Sequence, residues 1–106
     1  MTNKSKIKGT VFERECVWRL IEFGFKSVQR AWGSDGRSLL KPSDVDIVAD
    51  DLLIQCKRRK TVPKWLNLGN CDMVMFRGDH GETMVAMRLD YYAERTKYDR
   101  VDIGAD

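Results

Sequence analysis

The chain has 106 residues, 42% of them apolar and 33% charged, with 19 Lys and Arg against 16 Asp and Glu for a formal charge of +3. That length excludes a multidomain enzyme, and the apolar share excludes an intrinsically disordered chain. Charge is uneven: residues 1–64 hold 14 basic against 8 acidic side chains, and residues 65–106 hold 5 against 8. A basic stretch in a small domain suits a polyanion partner, because Lys and Arg contacts to phosphate supply most non-specific affinity for nucleic acid.

Met1 to Lys6 is polar and basic, and no segment approaches the ~20 apolar residues that span a bilayer, so a cytoplasmic protein is expected. Cys16, Cys56 and Cys71 are odd in number and widely spaced. They read as reduced thiols serving as small apolar residues, without a disulfide framework or a zinc site.

Residues 1–7 are expected to be a flexible basic lead-in. Lys8 to Phe23 then predicts an amphipathic helix, with Phe12, Cys16, Val17, Leu20 and Ile21 on one stripe and Gly24 as the stop. Glu13 falls on that stripe and Glu15 on the solvated side, while Trp18 lies outside the stripe. Phe25 to Ala31 predicts a first strand, followed by a Gly/Ser loop from Gly33 to Ser38. Val45 to Ala49 and Leu52 to Lys57 predict a hairpin turning at Asp50-Asp51. Its register sets Ala49 opposite Leu52, Val48 opposite Leu53, Ile47 opposite Ile54, Asp46 opposite Gln55 and Asp44 opposite Lys57. A short helix near Trp65, strands at Asp72 to Phe76 and Thr83 to Met87, and a helix from Leu89 to Tyr98 complete the order. The Met73 to Phe76 strand carries Met and Val on both faces, which implies burial on both sides. Residues 99–106 resemble an acidic frayed tail.

This order makes one mixed α/β domain spanning residues 1–106, with a central sheet of about five strands flanked by helices. If the first helix covers the polar end of the hairpin, Glu13 approaches Asp46. Two carboxylates, the Gln55 amide oxygen and Lys57 at a sheet edge suit a hard divalent ion, Mg²⁺ or Mn²⁺, and phosphodiester hydrolysis. The plainer alternative is a solvated strand face with Glu13 in a salt bridge to Arg58 or Lys57.

The run Lys8-Gly9-Thr10-Val11-Phe12-Glu13, then Gly33-Ser34, Val45-Asp46-Ile47-Val48-Ala49 and Ile54-Gln55-Cys56-Lys57 resembles the PD-(D/E)XK nuclease superfamily. Within it the resemblance is to archaeal-type and phage Holliday junction resolvases, and it covers about Lys8 to Lys60. It implies a restriction-endonuclease-like fold and a metal-dependent, structure-selective DNA endonuclease acting on four-way junctions as a homodimer, in a nucleoid setting. It also implies roles: Glu13, Asp46 and Gln55 as metal ligands together with the Cys56 backbone carbonyl, Lys57 as catalytic lysine, and Ser34 as the loop serine. Gln55 departs from the usual Glu and removes one negative charge. That departure keeps a DNA-binding module without cleavage as an alternative, beside a nickase or end-processing enzyme of the same superfamily.

Lys8, Arg14, Arg30, Arg37, Arg58, Arg59 and Lys60 border these positions and are expected to track phosphates of branched double-stranded DNA. No base-reading motif is visible, which favours recognition by shape. Trp32 has two readings, a stacking platform for a base or an anchor buried beneath the loop.

Overall fold

The first helix, α1, spans Lys4–Glu22 in a computed structural model that describes residues 4–100. It begins before the expected Lys8, because Lys4, Lys6 and Lys8 are good helix formers and no proline interrupts the run, and it continues through Gly9 despite that residue's low helix propensity. Of the lead-in expected over residues 1–7, residues 4–7 are helical, and of the tail expected over 99–106, Asp99 and Arg100 belong to a 3-10 turn; residues 1–3 and 101–106 lie outside the described residues. Gly24, at φ 93°, ends α1: its N–H donates to the Ile21 carbonyl and the Phe25 N–H to the Leu20 carbonyl. This is a Schellman motif, and both Leu20 and Phe25 are buried beside it.

The chain divides into two compact units, with the boundary between Arg58 and Arg59. In the first, strands β1 (Val28–Arg30), β2 (Ile47–Ala49) and β3 (Leu52–Ile54) form an antiparallel sheet in the order β1-β2-β3. Each strand has three residues, and β2, paired on both edges, has every residue buried. Helix α1 packs against β1 and β2, and Leu20, Phe25, Ala31, Val45, Ile47, Val48 and Ala49 form the core. The hairpin register is the expected one, Ala49 with Leu52, Val48 with Leu53 and Ile47 with Ile54. Asp50 takes φ 54° at the turn, and its carboxylate accepts from the backbone N–H groups of Lys26 and Ser27, at 3.1 and 2.8 Å. Its own N–H donates to the Ser27 carbonyl at 2.7 Å. Asp50 thereby ties the turn to the start of β1, whose pairing with β2 runs Val28 to Ala49, Gln29 to Val48 and Arg30 to Ile47.

Between β1 and β2 the chain makes two short 3-10 turns, Trp32–Ser34 and Gly36–Leu39. Gly36 is buried, and a Cβ there would overlap the Pro42 carbonyl oxygen and stand 2.8 Å from the Val45 Cβ. Only glycine lets the loop lie this close to the segment that leads into β2.

The second unit holds a 3-10 turn at Lys64–Leu66, the hairpin β4 (Met73–Phe76) and β5 (Met84–Met87), helix α2 (Leu89–Arg95) and a last 3-10 turn, Lys97–Arg100. Met73 pairs with Met87 and Phe76 with Met84. The Trp65 and Phe76 rings lie 4.9 Å apart at their centroids, which covers one face of the hairpin.

Two expectations are corrected here. The fold is mixed α/β, but its strands form two separate antiparallel sheets of three and two strands, not one central sheet of about five. The strands of the second hairpin satisfy each other across a short turn, and among the described residues no ladder joins them to β1, β2 or β3. The β4 strand is also not buried on both sides: Val74 and Phe76 are half-buried while Met73 and Met75 are exposed. A two-stranded ribbon has one covered face and one open one.

Candidate active site

Among the described residues, the only buried charged side chains are Glu13 and Asp46, at 6% and 7% exposure. Buried carboxylates need compensation, and each has it. Glu13 comes from the inward stripe of α1. Its Oε1 accepts from Arg30 Nη1 at 3.1 Å and its Oε2 from the Ser34 hydroxyl at 2.8 Å. The Arg30 contact is an ion pair with both side chains largely covered. Salt bridging to Arg58 or Lys57 had been the expected alternative; Arg30, from the end of β1, occupies that place.

Ser34 reaches Glu13 because two successive residues, Gly33 at φ 64° and Ser34 at φ 56°, adopt the left-handed region. For a serine that conformation costs on the order of 1 kcal/mol or more, and the bond to a buried carboxylate offsets it. The rest of the loop is held by its own contacts. The Asp35 carboxylate accepts from the backbone N–H and guanidinium of Arg37, which holds its carboxyl below the ordinary carboxylate range.

Asp46 sits one residue before β2. Its main chain continues both ladders, accepting from the Ala31 N–H and donating to the Ile54 carbonyl, each at 2.8 Å. Its carboxylate Oδ2 accepts from the Cys56 N–H at 2.7 Å. This side-chain bond changes the strand end. The register stops at Ile47 and Ile54, one pair short of the expected Asp46 to Gln55 and three short of Asp44 to Lys57. Gln55 and Lys57 follow β3 and are exposed, while Cys56 between them is half-buried.

The two carboxylates are linked through β1: Arg30 grips Glu13 with its side chain, and the next residue, Ala31, binds the Asp46 main chain. Both also act on one thiol. Burial, more than any other cause, pushes the Cys56 thiol up to about 12, with Cys16, Asp46 and Glu13 adding to it. Burial likewise raises Cys16, whose hydrogen bond to Cys56 works in the opposite direction. These two half-buried thiols contact each other, one on α1 and one just after β3, and their raised values disfavour the reactive thiolate. At pH 8 the thiolate fraction of Cys56 is roughly a thousandfold below that of an ordinary thiol. A thiol-alkylating reagent is expected to label the exposed Cys71 long before Cys56, as read by peptide mass spectrometry. Because the folded value of Cys56 lies above the unfolded one, its contribution to stability is complete below about pH 9 and disappears as pH rises toward 12.

No protein-family model, curated protein or solved structure matches this chain. The site is therefore assessed on its own donors. Among the described residues, no group of three or more His, Cys, Asp and Glu side chains comes together. A soft or His-rich metal centre has no ligands here. A hard ion that takes one or two carboxylates and keeps its remaining positions for water and phosphate is the kind whose chemistry matches two buried acids, Glu13 and Asp46.

The basic side chains divide by environment. Arg14, Arg37 and Arg58 are exposed on the first unit and Lys8 is half-buried on α1. Arg59 and Lys60 fall beyond the boundary, exposed at the start of the second unit. Arg30 is half-buried and its Nη1 is engaged with Glu13, a positioning contact in addition to the expected one with phosphate. Its place at the end of a strand opposite Ile47 is the signal that carries this, and it requires the β1 to β2 register.

Proposed function

We propose that the chain is a metal-dependent, structure-selective DNA endonuclease that hydrolyses phosphodiester bonds at four-way junctions, in the manner of the PD-(D/E)XK Holliday junction resolvases it resembles. The observation that carries this is the pair of buried carboxylates, one from a helix stripe and one from the end of a central strand, tied together through β1. A purely structural sheet face would not bury two acids when apolar residues of similar size would serve at lower desolvation cost.

In this function Glu13, Asp46, Gln55 and the Cys56 carbonyl would hold Mg²⁺ or Mn²⁺, which when bound neutralises charge at the phosphate and lowers the pKa of a coordinated water. The chain's own residues do the rest. Arg30 and Ser34 hold the Glu13 carboxylate in position through one hydrogen bond to each of its oxygens. The Cys56 N–H fixes the Asp46 carboxylate and so couples the position of Gln55 and Lys57 to it. Lys57, exposed and cationic, is available to the developing negative charge on the phosphate oxygens. Arg14, Arg37 and Arg58 supply backbone contacts to DNA.

One site per chain of 106 residues cuts one strand, so resolving a junction requires two copies. Incubated with Mg²⁺ and a four-way junction, the protein is expected to give paired symmetrical nicks. Single nicks on linear or flapped duplex would favour the nickase or end-processing activity instead. Junction binding with no Mg²⁺- or Mn²⁺-dependent cleavage would make it a DNA-binding module and remove the proposed chemistry.

A further inference from the structure

A cleft of about 450 Å³ opens on the first unit between the start of α1 and the Trp32–Ser34 turn. Lys6 and Thr10 line it from the helix and Arg30, Trp32 and Ser34 from the other side, with Glu13 at its margin. Trp32 is 82% exposed, a value that excludes the reading of this residue as a buried loop anchor. Tryptophan is highly buried on average, so a ring left this open at the mouth of a cleft calls for a reason.

The loop's own hydrogen bonds hold the backbone that carries the ring. The Trp32 N–H donates to the Ser38 hydroxyl at 3.0 Å, and the same hydroxyl donates to the Asp35 carbonyl at 3.0 Å. The Trp32 carbonyl in turn accepts from the Asp35 N–H at 3.2 Å. On one side of Trp32, Arg30 is fixed by Glu13, and on the other Ser34 is fixed by the same carboxylate. Two cations, Lys6 and Arg30, stand against the single carboxylate, so the cleft carries a net positive charge.

We propose that this cleft is a subsite for an unpaired base of a DNA strand, with Trp32 as its stacking platform and Lys6 and Arg30 beside the adjoining phosphates. An open aromatic face next to basic side chains is the arrangement that binds single-stranded nucleic acid, and it tolerates any sequence because every base has a π face. A linear duplex holds its interior bases in a continuous stack, whereas at a branch point that stack is interrupted and a base beside the crossover costs less to take out of the helix. The subsite thus distinguishes branched from linear DNA without reading sequence. It rests on the junction substrate proposed above, but not on cleavage.

The test is binding in EDTA to a four-way junction carrying 2-aminopurine at the branch point, with a linear duplex of the same arms as control. Wild-type protein is expected to quench the 2-aminopurine on binding. Trp32→Ala is expected to lose the quenching and to bind the junction roughly 5- to 150-fold more weakly, with linear-duplex affinity unchanged. Trp32→Phe, which keeps an aromatic face, restores most of both. Equal junction binding and quenching by Trp32→Ala and wild type overturns the proposal, as does an equal loss on junction and linear duplex, or a wild type that fails to bind the junction. A wild type that never cuts in Mg²⁺ but shows the Trp32-dependent junction preference removes the nuclease and leaves the subsite. Symmetrical cutting with no Trp32 dependence does the reverse.

Discussion

Asp46→Asn is expected to reduce Mg²⁺-dependent junction cleavage by roughly 10³-fold or more while leaving junction affinity in EDTA close to that of the wild type. The substitution is nearly isosteric. The Asn side-chain oxygen can still accept the Cys56 N–H that Asp46 Oδ2 receives at 2.7 Å, so the end of β3 keeps its anchor. What is lost is a buried negative charge, one of only two among the described residues. An independent readout accompanies the assay. Asp46 is one of the lesser causes that raise the Cys56 thiol, so alkylation of Cys56 should become faster in the variant. Cleavage at the wild-type rate by a protein with that altered Cys56 reactivity would show that Asp46 holds no catalytic metal.

Ile47→Ala should be the most destabilising truncation in the first unit, by about 2–5 kcal/mol. Ile47 is fully buried and is the largest side chain among the described residues to be so. It also occupies the one position of β2 that faces a partner on each side at the site end, Arg30 on β1 and Ile54 on β3. A cavity there loosens the strand between the Asp46 carboxylate and the residue that grips Glu13. In a domain of this size each kcal/mol moves the melting temperature by about 4–8 °C, so calorimetry should register the loss directly. Ile47→Val, which removes one methylene, should cost about 0.5–1.5 kcal/mol. A melting temperature unchanged by Ile47→Ala would mean that the core lies elsewhere.

What the sequence made legible is mostly local. The acidic turn at Asp50-Asp51, centred between two apolar runs, carried the hairpin register, because an even loop centred there fixes which residues face each other. The helical phase that separated Glu13 from Glu15 likewise matches their burial, with Glu13 covered and Glu15 exposed. Pairings decided by distant groups were not legible. Nothing in Gln55 or Lys57 indicates that the ladder stops before them. It stops where the Asp46 carboxylate binds the Cys56 N–H, a choice made in three dimensions. The division of five strands into two sheets is of the same kind: alternation reveals a strand but not which strand lies beside it. Arg30 was read by charge alone, and its attachment to Glu13, 17 positions earlier, depends on the intervening chain folding back on itself.

Asp50 and Asp51 look interchangeable in the sequence, yet only Asp50 takes the left-handed conformation and turns its carboxylate onto Lys26 and Ser27. That clamp works as an indexing stop for β1. Were the strand to advance by one residue, the clamp would lose its N–H partners and Arg30 would swing to the opposite face, away from Glu13. The alignment of the candidate site is thus set at the far end of the sheet, by a residue that takes no part in its chemistry.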